Sequence, residues 1–184
     1  MSGTLATATA PHLFWITSRA AGTAALFLSS LGVCVGLMIS GRFVRGRGAD
    51  LRPLHEALSI ATIVALIVHG LSLLGDKYMH PSLADIAIPF VGSYKTGWTS
   101  VGIVAAWMLI LLGPSYYLRR VVGQQRWVKL HRLTAIAWIA GIVHALGEGT
   151  DASSPWFALL IASTTVPALA LLAMRHLTTT EAKA

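Results

Sequence analysis

Five apolar runs, each long enough to cross a lipid bilayer, dominate this 184-residue chain. A spanning helix needs about 20 mostly apolar residues, and in lipid only helices and closed barrels satisfy their own backbone hydrogen bonds. Only 11% of the residues are charged, against about 25% in soluble domains. We therefore predict an all-α integral membrane bundle of five transmembrane helices, over about residues 14–40, 54–74, 97–118, 130–147 and 156–174.

The first run is interpreted as a retained helix, not as a signal peptide. The leader carries no Lys or Arg, and the small residues Ala6 to Ala8 precede the apolar run. A secretory signal has the opposite arrangement, with basic residues first and small residues last. Residues 1–13 are then a short extracytoplasmic leader, 14–174 the membrane domain and 175–184 a cytoplasmic tail. The single cysteine, Cys34, excludes an intrachain disulfide.

Basic residues divide the connections between the runs into two sides. Segments 41–53, 119–132 and 175–184 hold eleven Lys and Arg residues, whereas the other connections hold only Lys77 and Lys95. The positive-inside rule places the basic connections in the cytoplasm, with the N-terminus outside and the C-terminus inside. The net charge of +7 follows this topology and does not indicate a nucleic-acid partner. The apolar piece 83–91, which is too short to span, is predicted to lie along the outer interface.

Four histidines lie within these runs at matched spacing. His55 and His69 are 14 residues apart in the second run, and His131 and His144 are 13 apart in the fourth. At about 1.5 Å per residue, each pair spans roughly 20 Å along its helix. Helices two and four run in the same direction in the predicted topology. We therefore predict that His55 meets His131 near the inner face and that His69 meets His144 near the outer face.

Imidazole is costly to hold in lipid and is a good ligand for haem iron. Two facing histidines at each of two depths predict two bis-histidine haem sites, since bundles hold cofactors between side chains of facing helices. Small residues such as Ala61 and Ala140 leave room for the macrocycle. The alternative interpretation is that the histidines only make interhelical hydrogen bonds. One ion cannot be shared by histidines roughly 20 Å apart.

The 13-residue interval does not fit an ideal helix. At about 100° per residue, 14 residues return to within about 40° of the starting face, whereas 13 residues miss it by about 140°. His131 and His144 therefore need either a local distortion of their helix or different angles of approach to the two haems. Gly141 and helix packing, or a π-bulge, are routes to such an adjustment.

The stretches around the histidines resemble the ferric reductase-like transmembrane domain. This superfamily includes ferric reductases, the haem subunit of the bacterial methionine sulfoxide reductase system and the NADPH oxidase core, which is similar in its 14- and 13-residue histidine pairs. The resemblance covers about residues 14–174. Its motifs are Leu54-His55-Glu56, Val68-His69-Gly70, Lys129-Leu130-His131-Arg132, Val143-His144-Ala145-Leu146-Gly147, Ile88-Pro89-Phe90-Val91-Gly92-Ser93-Tyr94 and Gly147-Glu148-Gly149-Thr150-Asp151.

The resemblance implies a protein of a bacterial plasma membrane that carries electrons from a cytoplasmic donor to an extracytoplasmic acceptor through two haem b groups. It implies His55 and His131 as axial ligands of the inner haem iron, and His69 and His144 as those of the outer. NADPH oxidases continue into flavin- and nicotinamide-binding domains, but no G-x-G-x-x-G motif follows a strand here, so FAD has no recognisable domain.

We therefore expect an oxidoreductase component with a separate flavin reductase or a quinol as donor. A ferric chelate, oxygen, a quinone or a partner reductase all stay open as acceptor. The alternative function is a haem-binding sensory or anchor subunit without transmembrane electron flow.

Further residues are candidates for contacts to the haems. The candidates for haem propionates are Arg19, Arg52, Arg132 and Lys95. For Arg19 the alternative is snorkelling to the interface, and for Lys95 an ordinary interface anchor. Trp138, midway between His131 and His144, is either an aromatic between the haems or a packing residue. The outer histidines His12 and His80 are either metal-binding or inert.

Overall fold

The computed structural model describes residues 5–41 and 48–181, with side chains described over 13–41 and 51–174. All regular structure in these ranges is helical. The helices are α1 (Leu5–Gly41), α2 (Gly48–Leu73), α3 (Leu83–Ala87), α4 (Thr96–Leu112), α5 (Arg119–Val122), α6 (Gln124–His131), α7 (Leu133–Glu148) and α8 (Pro155–Glu181), with a 3-10 turn at Pro114–Leu118.

Five helical segments are long and apolar enough to cross a membrane. They are Leu13–Gly41, Leu51–Leu73, Thr96–Val122, Gln124–Glu148 and Pro155–Met174. The predicted all-α class and the five spans are therefore confirmed, and the chain is a multi-pass membrane protein. We call the end with His69 and His144 the outer end and the opposite end the inner end, after the predicted orientation.

Three predicted boundaries differ from the structure. Residues 119–132, expected as a connection, are helical (α5 and α6) and turn at Gly123, whose φ is 90°. The leader and the tail are helical in part, because α1 begins at Leu5 and α8 continues to Glu181. Hydropathy misses such extensions, because a polar segment can also be helical. The side chains of Arg42, Arg45, Arg47, Arg175, Lys183 and His12 lie outside the described residues.

The helices pack as two antiparallel pairs. α1 packs along α2, and α4 packs along α7, while α8 packs along the other side of α1. Buried alanines such as Ala25, Ala105 and Ala137 let the backbones approach closely. α2 carries His55 and His69, whereas His131 ends α6 and His144 lies in α7. α2 and α7 run parallel and, among the described residues, do not pack closely on each other. The space between α2 and α7 is therefore where the histidine side chains meet.

The fourth span is broken directly after His131. α6 ends at His131, Arg132 forms a turn, and α7 begins at Leu133. The N–H of Ala135 donates to the carbonyl of Arg132 at 3.2 Å, the tighter spacing of a 3-10 turn. A local distortion is one of the alternatives that the 13-residue interval predicts. It lies beside His131, whereas Gly141 lies in the uninterrupted part of α7.

The connection between α2 and α4 folds back into the outer end of the bundle. The N–H of Phe90 donates to Ser100 Oγ at 2.8 Å, and Trp107 Nε1 donates to the carbonyl of Ala87 at 2.7 Å. Ser100 lies about one turn and Trp107 about three turns inside α4. The segment therefore lies against α4, and its position along the outer interface stays a prediction.

Candidate functional site

The four histidines form two pairs at two depths, as predicted. The ring centroids of His55 and His131 are 6.1 Å apart, with an angle of 85° between the ring planes. The ring centroids of His69 and His144 are 6.5 Å apart, with an angle of 71°. Each pair joins α2 to the fourth span across the space between them.

This spacing fits one metal ion between each pair of rings. A metal–imidazole bond is about 2.0–2.1 Å long and the nitrogen lies about 1.15 Å from the ring centre, so two imidazoles on opposite sides of one ion have centroids about 6.3–6.5 Å apart. The two observed distances, 6.1 and 6.5 Å, are close to this range. Edge-to-face ring contacts span about 4.5–7 Å and include both values as well, so the orientation of the ring nitrogens decides between the two.

Three of the four imidazoles donate Nδ1–H to a backbone carbonyl of a neighbouring helix. The distances are 3.0 Å from His55 to Gly32, 2.8 Å from His69 to Ser18, and 2.9 Å from His144 to Trp98. A carbonyl only accepts, so each Nδ1 carries the proton. The Nε2 of these rings is then left with its lone pair free to bind a metal, the tautomer that metal-ligating histidines use.

The fourth imidazole, His131, is held differently. Its ring stacks on that of Trp127, with centroids 5.1 Å apart and an angle of 21°. Its buried Nδ1 has no hydrogen-bond partner among the described residues. The Leu112 carbonyl lies near this ring but accepts a hydrogen bond from the Ser115 hydroxyl. His131 is therefore positioned by aromatic packing and by the helix break.

The cations predicted to meet haem propionates lie at the two ends of the bundle. Arg19 forms a salt bridge with Asp151, and its guanidinium lies 4.2 Å from the ring centre of Trp15. Arg19 therefore ties α1 to the segment before α8. At the inner end, Arg52 and Arg132 are exposed, close in sequence to His55 and His131.

Lys95 lies beside the outer pair. Its Nζ donates to the carbonyl of Gly147 at 3.2 Å. With Gly97, Trp98, Val101 and Gly147 it lines an open cleft of about 680 Å³. Because the Trp98 carbonyl binds His144, this cleft adjoins the backbone that holds an outer imidazole.

Trp138 packs inside the bundle, whereas His80 is exposed in a connection. Trp138 is only 2% exposed, and its Nε1 donates to Ser30 Oγ at 2.9 Å, so it packs α7 on α1. His80 is exposed, at a φ of 44°, in the connection after α2.

Sequence reasoning missed the groups that hold the imidazoles. The acceptors on Ser18, Gly32 and Trp98 are backbone carbonyls, which leave no side-chain signature. The contact between Trp127 and His131 could have been predicted, because the two residues are four apart and such residues share a helix face.

The pairs offer two protein ligands each and no more. No group of three His, Cys, Asp or Glu side chains in the described part of the chain is placed to hold a metal ion. A bare ion held by two imidazoles would lack most of its ligands. A macrocycle that supplies four equatorial nitrogens needs only two axial imidazoles, so these residues fit haem.

Comparison with known proteins adds no match: no family model, no curated protein and no solved structure matches this chain. The geometry of the two histidine pairs is therefore the basis for assigning a function.

Proposed function

We propose that this chain is a ferric reductase-like transmembrane electron conduit that holds two haem b groups, each between two histidines. His55 and His131 would be the axial ligands of the inner haem and His69 and His144 those of the outer. The observation that carries the proposal is the repeated ring spacing of 6.1 and 6.5 Å between helices that do not otherwise pack closely.

When bound, haem b supplies a one-electron iron(III)/iron(II) couple at each of two depths, roughly 20 Å apart. The carbonyls of Ser18, Gly32 and Trp98 orient three imidazoles, and the Trp127 ring orients His131, so that two histidines would hold each haem. Such a site favours electron transfer over the binding of a gas or a substrate at the metal. The protein would therefore act as the electron-carrying component of an oxidoreductase.

The charges support an orientation of the two haem sites. The inner pair lies at the end where α5 and α6 carry Arg119, Arg120, Arg126 and Lys129. The positive-inside rule favours the cytoplasm for this end. The resemblance to ferric reductase-like domains implies the plasma membrane of a bacterium and transfer from the inner haem to the outer. A separate flavin reductase or a quinol would then reduce the inner haem. The extracytoplasmic acceptor would be a ferric chelate, oxygen, a quinone or a partner reductase.

An optical and magnetic analysis of the purified protein tests cofactor binding. We expect low-spin b-type spectra after oxidation and dithionite reduction, and a pyridine haemochrome assay that gives two haems per chain. Because the ring planes of both pairs are steeply inclined, both haems should give strongly anisotropic low-spin EPR signals. If protein purified from cells that are supplied with haem contained no haem, the proposal would be overturned.

Proteoliposomes test transfer across the membrane. With ferricyanide enclosed and an impermeant reductant outside, we expect reduction of the enclosed ferricyanide by wild-type protein and none by His55→Ala or His144→Ala protein. Wild-type protein with two haems and no transfer would instead support the sensory or anchor function.

A further inference from the structure

Each carbonyl that accepts an imidazole Nδ1–H is followed four residues later by a glycine. The pairs are Ser18 and Gly22, Gly32 and Gly36, and Trp98 and Gly102. In an α-helix the carbonyl of residue i already accepts the N–H of residue i+4. The oxygen has a second lone pair, which can accept another donor if that donor can reach it.

A side chain at position i+4 normally blocks this approach. The Cα–Cβ bond of a helical residue tilts toward the N-terminus, so its side chain covers the turn that contains the carbonyl of residue i. Glycine leaves room beside this oxygen for a ring as wide as imidazole, whereas the smaller Ser18 hydroxyl reaches the His69 carbonyl although Leu73 follows it by four residues. The repeated four-residue interval therefore has a geometric cause.

The distances at these glycines agree with this explanation. A Cβ on Gly102 would lie 2.5 Å from His144 Nδ1, and one on Gly22 would lie 2.9 Å from His69 Nδ1. A Cβ on Gly36 would lie 3.1 Å from His55 Cε1, which a small shift of the ring would relieve. Each imidazole thus occupies the space of the missing methyl group.

Other glycines show that close packing alone does not define this set. A Cβ on Gly75 would lie 2.4 Å from the Phe14 ring, and one on Gly147 would lie 2.3 Å from the Trp98 ring. Neither ring belongs to a histidine. A Cβ on Gly70 or Gly141 would meet no neighbouring atom of the described residues within 4 Å, so a methyl group would fit there. Within the described ranges, only Gly22, Gly36 and Gly102 combine a ligand ring with a bonded carbonyl four residues earlier.

We propose that Gly22, Gly36 and Gly102 are positioning residues for the haem ligands. By exposing a helix carbonyl, each fixes the tautomer and the angle of one imidazole and so directs its Nε2 toward the iron. The proposal depends on the proposed function, because it assigns the glycines to the same two haem sites. It goes beyond that function by assigning a role to residues outside the ligand set.

Alanine substitution with haem-specific measurements tests the proposal. Gly102→Ala should lower the haem content from two per chain to one, with the EPR signal and midpoint potential of the inner haem unchanged. Gly22→Ala should shift the outer haem signal, and Gly36→Ala should shift the inner haem signal without loss of haem. Gly92→Ala is the control away from both pairs, since its Cβ would lie at an ordinary 3.5 Å from Asp85, and it should keep both haems.

Gly75→Ala is the control for general packing damage, since its Cβ would lie 2.4 Å from the Phe14 ring. The proposal is overturned if Gly75→Ala shifts the same haem signals as Gly102→Ala, or if all three positioning variants keep wild-type spectra and potentials. If the Gly102→Ala chain does not fold, the Gly36→Ala variant tests the proposal: a shifted inner haem signal supports it and an unchanged one overturns it. A wild-type protein without haem would instead overturn the proposed function.

Discussion

The outer and inner histidine pairs have nearly the same ring spacing but are held by different means. In the outer pair, both imidazoles donate to carbonyls of neighbouring helices. In the inner pair, only His55 does so, and His131 stacks on Trp127 beside a helix break.

The cause of the difference lies in α4. His144 reaches the Trp98 carbonyl in the regular part of this helix, whereas the carbonyl near His131 is that of Leu112, the last residue of α4, and it accepts the Ser115 hydroxyl. Pro114, which has no N–H, then begins a 3-10 turn. The three carbonyls that hold an imidazole lie in regular helix, each four residues before a glycine. Elsewhere the chain uses aromatic packing, which holds the ring plane but leaves Nδ1 unpaired.

The largest expected effect separates the two pairs outright. His69→Ala or His144→Ala should remove the outer haem and halve the haem content, while the reduced spectrum of the inner haem stays. His80→Ala is the matched control, because this histidine is exposed in a connection. If either substitution removed both haems from a folded chain, the pairing by depth would be wrong.

The next largest effect concerns the stacked side of the inner pair. Aromatic pairs contribute about 0.5–1.5 kcal/mol beyond the area they bury, so Trp127→Leu should weaken inner haem binding about fivefold. Haem transfer to excess apomyoglobin, followed for each haem by its spectrum, measures this. Trp156→Leu in α8 serves as control. Equal loss of both haems in Trp127→Leu protein would show that the stack does not act on the inner pair alone.

A smaller effect is expected from the hydroxyl beside His69. Ser18 Oγ lies 3.1 Å from His69 Nδ1, while the carbonyl of the same residue remains in Ser18→Ala. The net contribution of a hydrogen bond is about 1 kcal/mol, which corresponds to a change of about 40 mV in a one-electron midpoint potential. We expect the outer midpoint potential to rise by at most that amount, because the imidazole becomes less electron-donating. Redox titration against Ser29→Ala measures it, and a shift of the inner haem would contradict the prediction.

The smallest effect is expected at the outer salt bridge. Arg19 and Asp151 are partly exposed, and such pairs contribute about 0.2–1 kcal/mol. Arg19→Gln and Asp151→Asn should each lower the thermal unfolding temperature slightly, and the double variant should lower it little further. The outer midpoint potential should not change. A shift confined to Arg19→Gln would return this residue to the propionate role that the sequence predicted.

The five spans and the positions of the histidines along them could be predicted from the sequence, because the length of an apolar run and the charge of a connection depend on side chains alone. Pairing then followed from two helices that run in the same direction. The polar helices α5 and α6 were not readable, since 119–132 is too charged to register as a span. A distortion was one of the alternatives that the spacing predicted, but its position beside His131 depends on where polar α6 meets apolar α7.

The groups that hold the imidazoles were hidden for a physical reason: a carbonyl is present at every position, and only tertiary structure selects one. One indirect signal existed. Gly22 and Gly36 are 14 residues apart on α1, the same interval as His55 and His69 on the antiparallel helix α2.

The connection between α2 and α4 has a consequence for how the protein is made. Phe90 and Ala87 bond to Ser100 and Trp107, which belong to the helix synthesised after them. The segment can make these two hydrogen bonds only once α4 has been synthesised. It therefore reaches its final position later than its place in the chain suggests.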